Sequence, residues 1–237
     1  MKSVKVLSVI FAFVLVISGL RIFGIRSRAK EYKLPEDIII YNFKNSDNKI
    51  ALTFDDGPHP RQTRVILDIL DEYGIKATFF AVGVNVENYT SALCEVVERG
   101  HEVANHTYTH TKVSGLDYDS FKRQIVDCED KIFEKTGYKT KLLRPPEGMI
   151  DTSVKSVARE LGYKVILWDI DTRDWAHTSP QNIASHVISN IRSGDIILMH
   201  DYIGKNSPTA AALRLFIPKL LDMGYNFVVV SELICDD

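Results

Sequence analysis

The chain has 237 residues, of which 45% are hydrophobic and 25% are charged, and its formal net charge at pH 7 is -2. This length is ample for a single folded core, and the nearly balanced charge argues against a nucleic acid as partner. The three cysteines, Cys94, Cys128 and Cys235, lack the C-x-x-C spacing of a cysteine zinc site. We interpret them as small buried residues, with one disulfide as the alternative.

The N-terminal segment is typical of an export signal. Two lysines precede an apolar run at residues 6–20, and basic residues follow at positions 26, 28 and 30. No A-x-A cleavage motif is visible, which favours an uncleaved signal anchor over a removed signal peptide. We expect a hydrophobic helix within residues 1–28, a linker at 29–47 and a folded domain at 48–237. The expected location is the cell membrane with the domain outside the cytoplasm, or the medium if the signal is cleaved.

Strand-like and helix-like patterns alternate beyond residue 48. Short apolar runs predict strands at Ile50–Phe54, Ala77–Val82, His101–Ala104, Leu142–Arg144, Lys164–Trp168, Asp195–Met199 and Phe227–Val230. Helical periodicity predicts helices at Thr63–Tyr73, Ser91–Arg99, Tyr118–Lys135, Thr152–Leu161, Pro180–Arg192 and Pro208–Met223. Such alternation favours parallel pairing with right-handed crossovers. The predicted fold is an α/β protein, an irregular (β/α) barrel of about seven parallel strands.

Two acidic residues follow the first predicted strand. Residues 49–58 read KIALTFDDGP, so an apolar run ends in Asp55, Asp56 and a Gly-Pro turn. This pattern predicts a buried strand that delivers both carboxylates to a loop. A cation would relieve their mutual repulsion and leave one of them to act as a base. The same residues also suit a solvated turn, so the segment alone does not decide between the two.

The next motif, HTYTH at residues 106–110, places His106 and His110 four residues apart. Two histidines at this spacing can share one side of a helical turn or a tight loop and reach one cation. With an aspartate they make three protein ligands and leave an open position, the arrangement of a catalytic zinc site. The spacing is common by chance, so this hypothesis depends on the neighbouring motifs.

Three later segments also place polar residues where apolar runs end. They are residues 142–148 (LLRPPEG), 165–175 (VILWDIDTRDW) and 195–201 (DIILMHD). They supply Arg144, Asp174 and His200. Side chains that can act as acids, bases or charged partners, placed at the ends of strands, are typical of the active site of a barrel built from alternating strands and helices.

Together these motifs resemble those of the polysaccharide deacetylase family, the NodB-homology domain of carbohydrate esterase family four. Five motifs match in the family's order, at residues 53–58 (TFDDGP), 106–110 (HTYTH), 144–148 (RPPEG), 171–175 (DTRDW) and 198–200 (LMH). The resemblance implies a distorted (β/α) barrel with fewer than eight strands, and removal of N-acetyl groups from a polysaccharide. The family often has an aromatic residue where this chain has Glu147. The shape and charge of the substrate groove at this edge are therefore not predicted by the resemblance.

The resemblance assigns Asp56, His106 and His110 to one divalent metal ion. Imidazole and carboxylate ligands suit zinc, and the same set accommodates cobalt, nickel or manganese. Such an ion polarises an acetyl carbonyl and lowers the pKa of a bound water toward about 7.

The resemblance also implies the roles of the base and the acid. Asp55 is the general base, and Arg144 holds it in place as a carboxylate through a charge-assisted bond. His200 protonates the leaving amine, and Asp174 orients His200 and keeps it protonated.

Four residues are implied to contact the substrate. Trp175 and Leu198 form the walls of the acetyl pocket. Pro146 and Glu147 belong to the substrate-binding loop, and the backbone N–H of Glu147 meets the oxyanion together with the metal.

The remaining histidines are interpreted as surface or loop residues rather than ligands: His59, His101, His177 and His186. Of these, His59 is the least secure, because it follows Pro58 and could sit at the rim of the pocket. Trp168 is expected to pack in the core.

The expected partners are a polysaccharide and, through residues 1–28, a membrane; we expect a monomeric domain. An export signal favours an envelope polymer, but peptidoglycan with N-acetylglucosamine or N-acetylmuramic acid, chitin oligomers and an exopolysaccharide all stay open. Two other functions are also open. An inactive carbohydrate-binding protein is disfavoured because base, acid and ligands are all present. An O-acetyl esterase acting on an envelope glycan would use the same machinery.

Overall fold

The computed structural model describes residues 38–43, 47–204 and 206–235. All of them fall in one compact unit. The predicted helix within residues 1–28 lies outside the described residues, as does most of the predicted linker. Within the described ranges, no helix has the length and apolar character needed to cross a membrane.

The described strands are short and follow one another with helices between most of them. They are β1 (Ile39–Ile40), β2 (Lys49–Asp55), β3 (Thr78–Ala81), β4 (Glu102–Asn105), β5 (Leu142–Leu143), β6 (Lys164–Ile166), β7 (Ile170–Asp171), β8 (Ile196–His200) and β9 (Asn226–Val228). The helices are α1 (Gln62–Glu72), α2 (Gly83–Asn88), α3 (Thr90–Glu98), α4 (Tyr118–Thr136), α5 (Thr152–Leu161), α6 (Pro180–Asn190), α7 (Thr209–Asp222) and α8 (Val230–Leu233).

Local sequence explains where the helices begin and end. The Asp117 side chain accepts the backbone N–H of Ser120 at the start of α4, and Gly137 ends that helix at φ 69°. Likewise, Asp151 caps α5, which ends at Gly162. These caps explain why the predicted starts of these two helices are correct.

The strands form one parallel sheet in the order β1-β6-β5-β4-β3-β2-β8-β7, with β9 also paired to β2. On one side of β2 lies β8. On the other side, β3 pairs with Thr53–Asp55 and β9 with Lys49–Ala51. Among the described strands the hydrogen-bonded path ends at β1 and β7, which gives a curled, incomplete barrel. This confirms the predicted distorted (β/α) barrel.

All seven predicted strands and all six predicted helices are present, with ends that differ by a few residues. The sequence prediction missed β1 and β7, each only two residues long and therefore too short to show a pattern. Of these, β1 lies in the predicted linker and pairs with β6. Val230, predicted to end the last strand, instead begins α8. Cys94 and Cys128 are not joined by a disulfide, and Cys128 is buried as predicted, whereas Cys94 and Cys235 are only partly buried.

Alternation along the central strands separates the core from the barrel interior. On β2, Ile50, Leu52 and Phe54 pack into the large cluster beneath the helices, whereas Ala51 packs into a separate, smaller cluster. Because side chains alternate along a strand, Thr53 and Asp55 lie on the same face as Ala51. On β8, Leu198 and His200 share the face of Ile196 in the same way. The fold therefore turns these polar residues toward the barrel interior.

Candidate active site

The C-terminal ends of the parallel strands meet around a cavity of about 380 Å³. This is the end at which barrels of this class carry their active sites. The residues that line the cavity are Asp55, Asp56, His106, His110, Glu147, Gly148, Trp168, Asp171, Trp175, Leu198 and His200. Eight of the eleven predicted site residues are therefore at this cavity, and Arg144 and Asp174 contact its lining from behind.

Asp56, His106 and His110 form the predicted metal-binding cluster, with one donor atom from each lying within 4.8 Å of the others. The Oδ1 atom of Asp56 is 3.4 Å from Nε2 of His106 and 3.2 Å from Nε2 of His110. Tetrahedral bonds of about 2.1 Å separate ligand atoms by about 3.4 Å. The donor set and its spacing therefore fit a divalent ion.

A hydrogen bond on the side of the His106 ring that faces away from the cluster fixes which ring nitrogen donates a proton. The Nδ1 atom lies 2.7 Å from the backbone oxygen of Arg144, so Nδ1–H donates and Nε2 is left with its lone pair toward the cluster. Thr107 and His110 both have left-handed backbone, at φ 66° and 56°. The Thr107 N–H donates to the Asn105 side chain, which helps hold this turn. The loop thus presents both imidazoles before any ion binds.

The charges in this cluster favour a cation. Burial opposes ionisation of Asp56, but His106 and His110 outweigh it and lower the pKa of Asp56. Burial would lower the pKa of His106, yet Asp55 and Asp56 raise it. His110 has a lowered pKa, first from burial and then from His106. Because a metal needs the imidazoles neutral, protons compete with metal binding here.

Asp55 is held by a fully buried arginine. The Nη1 atom of Arg144 donates to Asp55 Oδ1 at 2.7 Å and to the Thr53 hydroxyl at 2.9 Å. Its Nε and Nη2 atoms donate to the backbone oxygens of Ile166 and Leu167 at 3.1 and 3.0 Å, respectively. Burial lowers the pKa of the guanidinium, and Asp55 opposes that shift. Asp55 is therefore fixed in one orientation with a charged partner.

His200 and Asp174 form the predicted second pair. His200 Nδ1 is 2.8 Å from Asp174 Oδ1, and its backbone N–H donates to Oδ2 at 2.9 Å. The Thr209 hydroxyl and the backbone N–H of Trp175 also donate to this buried carboxylate. Burial would lower the pKa of His200, but Asp174, followed by Asp55 and Asp56, raises it to about 9. His200 is therefore protonated at neutral pH.

Asp201 is a residue of this site to which the sequence interpretation gave no role. It is 1% exposed, and its Oδ2 accepts the Thr63 hydroxyl at 2.5 Å, while Oδ1 has no hydrogen-bond partner among the described residues. Any β-carbon on Gly57 would collide with this carboxylate at 2.0 Å. Burial, followed by Asp56 and Asp55 and offset in part by Thr63, raises the pKa of Asp201 to about 7.

Other residues take positions that differ from the predicted ones. Trp168 was predicted to pack in the core, but it also lines the cavity and lies over Arg144, with the guanidinium 5.4 Å from its ring centroid. A β-carbon on Gly148 would approach Trp168 to 2.6 Å, so this glycine permits the close contact. Pro146 is buried and is not among the lining residues, and its role in substrate binding stays a prediction. Glu147 forms an ion pair with Lys112 at the rim.

The four remaining histidines lie outside the metal-binding cluster. His101 sits in a loop but is buried, its Nδ1 accepts the Ala77 N–H, and burial lowers its pKa to about 4. His59 stacks on Tyr202 with ring centroids 4.8 Å apart. The assignment of His106 and His110 as metal ligands stays a prediction, and His101 is buried rather than at the surface.

Known proteins are similar to this chain in sequence and in fold. Residues 43–166 match the sequence model of the family described as polysaccharide deacetylase. The chain is 40% identical over 202 residues to a peptidoglycan-N-acetylglucosamine deacetylase of Bacillus cereus, covering 84% of this chain and 94% of the relative. It is 38% identical over 184 residues to the peptidoglycan-N-acetylmuramic acid deacetylase PdaC of Bacillus subtilis, covering 78% of this chain and 38% of the relative.

Two solved structures extend the comparison. The Bc1960 peptidoglycan N-acetylglucosamine deacetylase has a TM-score of 0.81 at 32% identity, over 83% of this chain and 92% of that one. A family 4 acetyl xylan esterase from Clostridium thermocellum, solved with a cobalt ion, has a TM-score of 0.73 at 33% identity, over 78% and 89%. The chain belongs to the polysaccharide deacetylase family, whose members use a divalent metal, and is an enzyme of that class.

The metal assignment can be checked with His110→Ala. We expect this variant to lose most of its bound metal, because one of three protein ligands is removed. Elemental analysis after equilibration with zinc would measure this. His177→Ala, which changes a histidine outside the cluster, should keep its metal. Full occupancy in His110→Ala would contradict the assignment.

The burial of Asp201 predicts a pH effect on stability. A carboxyl with a raised pKa takes up a proton on folding, so it costs stability as pH rises from about 4, the unfolded value, to about 7. Asparagine does not titrate. In metal-free protein, the melting temperature of Asp201→Asn minus that of the wild type should therefore increase between pH 4.5 and 7.5. A constant difference across this range would rule out a raised pKa.

Proposed function

We propose that this enzyme removes N-acetyl groups from the glycan strands of peptidoglycan. The observation that carries the proposal is that one cavity brings together a base held by arginine, a metal-binding cluster and a protonated histidine. Hydrolysis of an amide needs all three functions, since water must be activated, the oxyanion stabilised and the amine protonated. The two sequence relatives and the Bc1960 enzyme are peptidoglycan deacetylases, which supports the choice of peptidoglycan as the substrate.

The three ligands Asp56, His106 and His110 would hold the metal, for which we propose zinc. When bound, the ion supplies Lewis-acid activation of water and of the acetyl carbonyl. Cobalt, nickel or manganese can occupy the same donor set.

Asp55 acts as the base in this proposal. Arg144 and Thr53 fix one side of the carboxylate, and its Oδ2 lies 3.6 Å from Nε2 of His106, next to the metal-binding cluster. A carboxylate held there takes the proton from the attacking water. The hydrogen bond from the buried guanidinium prevents the Asp55 carboxylate from rotating away.

His200 acts as the acid. Its Nδ1–H is bound to Asp174, so Nε2–H is the proton available to the cavity. The raised pKa keeps that proton in place at neutral pH until the amine nitrogen becomes basic as the C–N bond breaks. The products are acetate and a free amine on the sugar.

The remaining lining residues would position the acetyl group. Trp175 and Leu198 form walls beside His200, and we propose that the acetyl methyl packs between them. The backbone N–H of Glu147 would donate to the developing oxyanion, and Pro146 would stiffen that loop.

The test is acetate release with mass spectrometry of the products from peptidoglycan, chitin oligomers and an O-acetylated glycan, using metal-loaded enzyme. We expect N-deacetylation of peptidoglycan. Asp55→Asn should keep its metal and lose activity by on the order of a hundredfold or more, because the base is removed. His200→Asn should do likewise. Near-normal turnover in either metal-loaded variant would refute that residue's role.

The same assay decides the main alternative. The similarity to an acetyl xylan esterase favours O-acetyl hydrolysis as the second candidate, since the machinery could cleave an ester too. Acetate released only from the O-acetylated glycan would select that function.

We propose further that the enzyme acts in the cell envelope, tethered by residues 1–28. The basic start and the apolar run at residues 6–20 support this. Cell fractionation should find the full-length chain in the membrane, and protease added to spheroplasts should digest the domain. A shorter soluble product in the medium would show cleavage instead, and a protease-protected domain would reject export.

A further inference from the structure

A second cleft lies next to the active-site cavity. It has a volume of about 550 Å³ and is lined by residues of the loop after β7 and of α6. Asp171 lines both spaces. Trp175, a wall of the active-site cavity, is 49% exposed and donates Nε1–H to Asp171 Oδ1 at 3.3 Å. If one sugar of a polysaccharide lies in the active-site cavity, the neighbouring part of the polysaccharide would therefore pass the exposed indole of Trp175 and reach the cleft.

Arg173 is the only lysine or arginine among the described residues that line this cleft, and hydrogen bonds hold its backbone in place. The residue has left-handed backbone at φ 54° and ψ 32°. Its N–H donates to Asp171 Oδ1 at 2.8 Å, and its carbonyl accepts the Thr178 hydroxyl at 2.9 Å. Such a backbone conformation is costly for a residue other than glycine and persists when surrounding contacts impose it.

The guanidinium of Arg173 is available to a ligand. Its carbon lies 5.9 Å from the centroid of the Trp175 ring. Asp171 directs Oδ1 to the Arg173 backbone and to the indole, and the ion pairs found among the described residues do not include Arg173. The cleft also contains the His186 imidazole and the Asn182 amide from α6. These groups together suit an anionic ligand with two acceptor oxygens.

We propose that this cleft binds a carboxylate carried by the glycan beside the sugar that is deacetylated. The inference rests on the proposed function, because it assumes that the glycan occupies the active-site cavity. A muramic acid residue supplies such a group, either as its own lactyl carboxyl or through the carboxyls of an attached peptide. A chitin chain is neutral and supplies none. Arg173 would thus be a specificity residue that favours acidic glycans over neutral ones.

Binding can be measured without turnover in a zinc-loaded Asp55→Asn background by titration calorimetry. The ligands are chitotetraose, a muramic acid-containing tetrasaccharide with free lactyl carboxyls, the same compound as carboxamide, and its peptide-bearing form. In this background Arg173→Gln should weaken the carboxylate ligand roughly tenfold, the loss expected for a charge-assisted hydrogen bond. Arg173→Lys should recover part of it. Arg159→Gln, which removes an exposed arginine on α5, is the matched control and should change nothing.

The ligand series separates the two sources of carboxylate. Dependence on Arg173 with the free lactyl form assigns the site to that carboxyl, and dependence only with the peptide-bearing form assigns it to the peptide. Equal weakening of chitotetraose would show a general structural role and overturn the proposal, as would unchanged affinity for both acidic ligands. The binding experiment needs no turnover. If the wild-type enzyme released no acetate, the proposed function would be refuted, but the binding result for Arg173 would still stand or fall by itself.

Discussion

The buried ion pair between Arg144 and Asp55 is the interaction on which the rest of the site depends. A guanidinium inside a barrel is stable only if its charge and its N–H groups are satisfied, and removing one partner of such a pair costs about 3–5 kcal/mol. Here Asp55, Thr53 and two strand-end carbonyls accept its hydrogen bonds, and its guanidinium carbon lies 4.0 Å from the centroid of the Phe80 ring. The backbone oxygen of Arg144 also receives Nδ1–H of His106. One residue therefore contacts both the proposed base and one of the proposed metal ligands.

The placement of charge around the cavity follows from this arrangement. Asp55 and Asp56 are adjacent in the chain, so two negative charges enter one small space. Arg144 balances the first, and His106, whose pKa is raised despite its burial, balances the second. The same carboxylates add to the effect of Asp174 in keeping His200 protonated. For Asp201 the opposite holds, because burial, followed by the neighbouring Asp56 and Asp55, raises the pKa of its carboxyl to about 7.

The candidate site of this chain is built largely from residues at the ends of the strands and from the loops that follow them. The strands end at one rim, and the residues that carry the chemistry lie at or just beyond those ends. Several of them have left-handed backbone, including Asp56, His110 and Glu147. Such conformations persist because neighbouring contacts impose them. Arg173 in the adjacent cleft has the same left-handed backbone.

Apolar periodicity and local caps are properties of short segments, so the amino-acid sequence was enough to predict the longer strands and helices, the barrel class and the motif residues. It also separated His106 and His110 from the other histidines through their motif. Tertiary structure alone decided the rest. Both β1 and β7 exist only through pairing with longer strands, and Trp168 lines the cavity because Gly148 lets it approach. Burial, with Asp56 and Asp55 nearby, raises the pKa of Asp201, and the cleft around Arg173 forms between the loop after β7 and α6; a local pattern encodes neither.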